Sequence, residues 1–219
     1  MNDPWAGRVR LWQTSPAVPA DRCDLAFVEV RGKELVALVV DGAPGRASAR
    51  PPWPREAIFE AAGFAFGRRS GPEETLRLLG ERLRSAVQGQ AWRLGAAAAA
   101  ISWDAASGRI ESAEAGDTKA WLVQTPAPMP VIEGGVPERG RTPANMLGAV
   151  TPDIRSKIFH FSDVGMDGCL GVALMTDGAD DILRSPTLGL PGERGAWTIE
   201  TVGIDDATLL LVEPPESSW

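Results

Sequence analysis

The chain has 219 residues, 44% of them hydrophobic, enough to build the core of one large domain, and a single domain over residues 1–219 is expected. Its 29 acidic against 22 basic residues leave a formal charge of -7, which argues against a nucleic-acid footprint or an anionic membrane surface as partner. Two cysteines, Cys23 and Cys169, cannot build a disulfide framework, and the single histidine, His160, excludes a multi-histidine metal cluster. No stretch is apolar enough to span a membrane and the N-terminus MNDPWAGRVR lacks the apolar centre of a signal peptide, so a cytoplasmic protein is expected.

In chain order, residues 8–13 are the first strand candidate, ahead of the Pro-broken TSPAVPA. Residues 25–30 and 35–40 are apolar segments joined by Arg31-Gly32-Lys33-Glu34, which predicts a β-hairpin. Its second arm lies in LVALVVDGAPG, an unbroken, β-branched run that reads as a strand buried on both faces and presenting Asp41-Gly42 at its end. Asp24 stands where the first arm begins. Residues 55–66 place apolar side chains at helical spacing, and residues 72–87 predict a stronger helix, with Leu76, Leu79 and Leu83 on one stripe and Pro72, Glu73 and Glu74 in the first turn.

The run GAAAAAI from Gly95 is short for a helix although alanine favours one, and it reads as a strand. A turn at residues 104–108, a strand at 109–115, the tight turn Gly116-Asp117 and a strand at 119–124 then form a β-meander. Residues 125–143, rich in proline and glycine, read as a surface loop. Strands at 157–161, 169–176, 198–202 and 207–212 complete the chain. Many strands with the helices in one block predict an α+β fold with mainly antiparallel sheets.

Asp24, Asp41, Asp117, Asp177, Asp205 and Asp206 all fall at strand ends or tight turns. Singly, each is ordinary turn chemistry. Yet Asp-Gly closes the apolar run VVDG and closes another in VALMTDG, which suggests two buried strands that bring carboxylates to one site. An oxygen-only donor set of this kind suits Mg²⁺ or Mn²⁺. Neither cysteine has an arginine at the spacing of a thiolate phosphate loop, and GxxxxGK and GxGxxG are both missing.

From about Arg22 to Val212 the order of these pieces resembles the metal-dependent protein phosphatase 2C family. The matching pieces are Arg22-Cys23-Asp24, VVDGAPG, the strand opened by Gly95, EAGDTKAWLV, Met146-Leu147-Gly148, ALMTDGADDIL and GIDDATLLLV. The resemblance, to a trimmed bacterial member, implies a β-sandwich of two mainly antiparallel sheets flanked by helices. It implies that Asp41 bridges two Mn²⁺ or Mg²⁺ ions, that the carbonyl of Gly42 binds one, and that Asp177 and Asp205 complete the first ion's shell. By the same resemblance Asp24 orients a metal-bound water, and Asp117, with Asp177, forms a weaker third site. The implied activity is hydrolysis of phosphoserine and phosphothreonine by a metal-activated water, with Asp24, Asp41, Asp177 and Asp205 in the catalytic centre and no protein nucleophile. The implied partners are a phosphorylated protein substrate and a cognate serine/threonine kinase, with no nucleic acid and no membrane.

The chain departs from the family pattern in places. Cys23 stands where members usually carry Glu or Gln, Pro19 falls at the upstream phosphate-binding Arg, and Ala43 replaces the histidine some members use as a proton donor. The region between Val123 and Met146, which would form the substrate-covering flap, is short. These departures leave open a pseudophosphatase, a scaffold that binds metal or phosphoprotein without turnover. A carbohydrate- or nucleic-acid-binding sandwich, in which the aspartates are only turns, is a third reading.

Overall fold

The β-branched run after Gly32 folds as the sequence pattern dictates. In the computed structural model, which describes residues 3–14, 24–43, 54–86, 95–124, 128–133, 146–148, 152–164, 169–176 and 207–215, strands β2 (Leu25–Arg31) and β3 (Glu34–Ala43) pair through a two-residue turn. Gly32 supplies the turn with φ +68°, a left-handed conformation that glycine adopts without steric cost. Residues 35–40 of β3 are all buried, because this strand has packing on both faces. Leu35, Ala37 and Val39 join one core cluster, and Leu38 and Val40 join another.

Helices α1 (Pro54–Gly67) and α2 (Pro72–Ala86) follow, then β4 (Gly95–Asp104), β5 (Arg109–Ala115), β6 (Lys119–Gln124), β7 (Met129–Pro130), β8 (Ile154–His160), β9 (Cys169–Met175) and β10 (Ala207–Val212). With β1 (Val9–Thr14) they form two five-stranded sheets, ordered β1-β10-β9-β6-β7 and β2-β3-β4-β5-β8. All neighbours are antiparallel. The expected α+β sandwich of two antiparallel sheets is the architecture observed. Both described helices lie on the second sheet, where Ile58, Ala61, Ala62, Leu76, Leu79 and Leu83 pack on Leu38, Val40, Ala98 and Ala100. The alanine run is a strand because β4 is central: small side chains let α2 approach one face and the opposite sheet the other. No helix among the described residues is long and apolar enough to cross a membrane.

Between the sheets lies a core built from Leu35, Val39, Ile101, Leu122, Leu174 and Leu210, closed at one end by Trp5, Trp103 and Phe161. Two elements differ from the sequence reading. β8 begins at Ile154, earlier than the expected 157, because an edge strand with exposed side chains shows no apolar alternation; Phe161 already belongs to a 3₁₀ turn, Phe161–Val164. Met129–Pro130, expected in a loop, pairs with Leu122 and Trp121 as β7. Pro130 is tolerated there because an edge strand does not need every N–H. The expected strand at 198–202 and much of the 125–143 loop lie outside the described residues.

Candidate metal and phosphate site

The hairpin register builds the first part of the site. Leu25 pairs with Val40, so the register continued by one residue sets Asp24 opposite Asp41. Side chains alternate along a strand, and Asp41 therefore shares the face of Leu35, Ala37 and Val39, the face turned toward the space between the sheets. Asp41 lies at the margin of that space, partly accessible, while both carboxylate oxygens of Asp24 are buried. On its other side Asp41 pairs with Ala97, and Gly42, itself buried, pairs with Ala96.

The next strand brings Asp117 to the same end. β5 pairs with β4 up to Ala115 opposite Ala98, after which the chain leaves the second sheet through Gly116-Asp117 and enters the first as β6. Gly116 has φ +78°, and a Cβ on it would lie 2.6 Å from the Cβ of Ala97. Only glycine fits, and the turn therefore rests against the residue that pairs with Asp41. Asp117 Oδ1 is buried without a hydrogen-bond partner among the described residues. In the first sheet Lys119 pairs with Met175, and the end of β9 is tied to the start of β10 by Thr208 N donating to Thr176 Oγ1 at 2.9 Å. Asp177 follows Thr176 in sequence, and Asp205 and Asp206 precede β10; all three lie outside the described residues.

Two charged residues that sequence reasoning passed over line this turn. Glu114, 0% exposed, accepts a hydrogen bond from the backbone N of Ala120 at 2.9 Å. Lys119, 4% exposed, places its Nζ 3.5 Å from Glu114 Oε2 and donates to the carbonyl of Gly116 at 3.0 Å. Arg155 Nη2 lies 3.6 Å from the same Oε2. Burial pushes the Glu114 carboxyl up and the Lys119 ammonium down, and their mutual attraction opposes both shifts. The signal in the sequence was a Glu and a Lys bracketing a Gly-Asp turn. Such charges usually mark an exposed hairpin tip, and nothing local reveals that this one crosses between sheets. His160, by contrast, is an exposed side chain at the end of β8, and Cys169 is a half-buried free thiol whose pKa burial pushes up.

No group of three or more His, Cys, Asp or Glu residues is gathered as a metal cage among the described residues. The donors that are described nevertheless suit a hard divalent cation: the carboxylates of Asp24 and Asp41 at one end of the hairpin, the neighbouring Gly42 carbonyl and the buried Asp117 Oδ1, which has no hydrogen bond among the described residues.

No family profile matches the chain, and neither does any curated protein. Solved structures do match in fold. The serine/threonine phosphatase Stp1 from Staphylococcus aureus superposes with a TM-score of 0.65 at 12% identity, over 94% of each chain. The S. agalactiae serine/threonine phosphatase gives 0.63 at 12% identity, over 94% of this chain and 98% of that one. RsbX, solved in complex with magnesium, gives 0.57 at 14% identity over 94% of each. The fold implied by the sequence resemblance is thus the fold found, shared over nearly the whole chain with bacterial serine/threonine phosphatases.

Proposed function

We propose that the chain is a metal-dependent phosphatase acting on phosphoserine and phosphothreonine in proteins, on the phosphatase sandwich fold described above. The observation that supports this most is the hairpin register, which brings Asp24 and Asp41 to the end of the sandwich where the Asp117 turn rests on Ala97. In this reading Asp41, the Gly42 carbonyl, Asp177 and Asp205 hold two Mn²⁺ or Mg²⁺ ions, and Asp117 with Asp177 a third. Ions bound there supply the positive charge that acidifies water and offsets the charge of the phosphoryl oxygens. Asp24 accepts a hydrogen bond from the attacking water and orients it. Water attacks phosphorus, the bond from phosphorus to the seryl or threonyl oxygen breaks, and inorganic phosphate leaves. Ala43 has no proton to give, so the departing oxygen takes its proton from solvent. The partners in this reading are a phosphorylated protein and the kinase that makes it, and the cytoplasm is the compartment.

The test is hydrolysis of a phosphothreonine peptide with Mn²⁺ or Mg²⁺, before and after chelation, in the parent and in Asp41→Asn. We expect activity only with metal, and a loss of about a hundredfold or more in Asp41→Asn, roughly 2.7 kcal/mol of transition-state stabilisation. Activity that survives exhaustive chelation would overturn the proposal. Metal uptake without turnover by the parent would turn the reading to the scaffold.

A further inference from the structure

Lys119 follows Asp117 by two residues, yet its ammonium is held elsewhere. It sits 3.0 Å from the Gly116 carbonyl and 3.5 Å from Glu114 Oε2; Asp117 attracts it through space, but no direct ion pair joins the two among the described residues. Asp117 meanwhile keeps a buried oxygen without a hydrogen bond among the described residues. A buried lysine beside a buried carboxylate oxygen would ordinarily collapse onto it, since an unpaired polar atom in the interior is costly. Beside the lysine stands Glu114. Its side chain is fully buried, anchored by the Ala120 N–H through Oε1, and presents Oε2 to Lys119. The anchor fixes the carboxylate, and the carboxylate fixes the ammonium.

We propose that Glu114 is a positioning residue that diverts Lys119 from Asp117 and so keeps the Asp117 carboxylate open to an external divalent cation. This rests on the metal-dependent reading given above and extends it to two side chains that touch neither substrate nor the reacting atoms. Lys119 is in this view an internal competitor for the cation position. Its buried location makes the competition strong, because attraction between charges rises as water is excluded.

The experiment measures Mn²⁺ binding to the full chain by calorimetry, with folding of each variant checked by its melting transition. Asp117→Asn defines the equivalent of Mn²⁺ that depends on Asp117. Glu114→Gln should weaken that same equivalent by about tenfold or more, as Lys119 turns to Asp117. The double variant Glu114→Gln/Lys119→Met should recover it to near the parent's affinity. Lys119→Met alone should bind at least as tightly as the parent, and it decides the matter if Glu114→Gln does not fold. Unchanged binding in Glu114→Gln, no recovery in the double variant, or loss of binding in Lys119→Met would each overturn the inference. A parent that binds no Mn²⁺ would instead overturn the phosphatase reading on which it rests, so the two failures are distinguishable.

Discussion

Gly116 joins backbone to site more tightly than any acidic residue does. Its positive φ and the 2.6 Å approach of a hypothetical Cβ to Ala97 mean that any side chain there must displace either the turn carrying Asp117 or the strand pairing with Asp41. We expect Gly116→Ala to cost about 1–3 kcal/mol, from a strained left-handed residue together with overpacking. A urea midpoint that does not move would refute this. At this scale the sequence was partly legible. Gly116-Asp117 was readable as a tight turn because those residue types have local conformational preferences, whereas Asp41-Gly42, read as the close of a buried strand, lie within the last paired residues of β3. Glu114 and Lys119 were not readable, since their burial comes from the sheet-to-sheet crossing and not from anything local.

The β4–β5 hairpin shows an element held by its own turn. Asp104 Oδ2 accepts from the Ser107 hydroxyl at 2.7 Å and Oδ1 from the Ala106 N–H at 3.0 Å, and these bonds, the Ser107 hydroxyl foremost, hold its carboxyl below the usual value of 3.8. A carboxyl whose pKa is lowered by folding stabilises the native state fully above its unfolded value. That contribution drains away as pH falls below about 3.8 toward the folded value. Asp104→Asn should therefore melt lower than the parent at neutral pH, and the gap should narrow in acid. A gap that is constant with pH would show that the charge is not what holds the turn. Elements with strong periodicity or strict apolar runs, such as α2 and β10, were legible almost to the residue, while β3, read as residues 35–40, runs on through Asp41 and Gly42 to Ala43 because β4 continues to pair with it. β7 and the start of β8 were not, because edge strands satisfy half their backbone in solvent and impose little pattern on their side chains.

At the scale of the whole molecule, the proposed site is a product of topology. The hairpin of the second sheet, the crossing turn and the ends of β9 and β10 in the first sheet are distant in sequence, yet antiparallel pairing returns them to one end of the sandwich. The order of strand-end aspartates hinted at such convergence, but no single one was distinguishable from a turn. If the carboxylates converge on a cation, that cation binds the folded chain and not the unfolded one, and stability follows its concentration. Saturating Mn²⁺ should raise the melting temperature of the parent, chelation should reverse the rise, and Asp41→Asn should blunt it. A parent whose melting temperature is indifferent to Mn²⁺ would count against convergence.

The opposition of Asp24 to Asp41 also has a consequence in time. The ladder between β2 and β3 ends at Leu25 opposite Val40, so this end should open more often than the Gly32 end, and a cation held by Asp24 and Asp41 should close it. Local opening of this kind is visible as amide hydrogen exchange. The amides of β3 at Val40 and beyond should exchange quickly in the metal-free protein and slow markedly when Mn²⁺ is added, while those at residues 35–38 stay protected throughout. Uniform protection along β3 in both states would mean the hairpin end is latched by something other than the ion. Fast exchange at the Val40 end without metal and slow exchange with it would make the divalent cation the clasp of the hairpin, and the rate at which the clasp opens would limit how fast the ion exchanges.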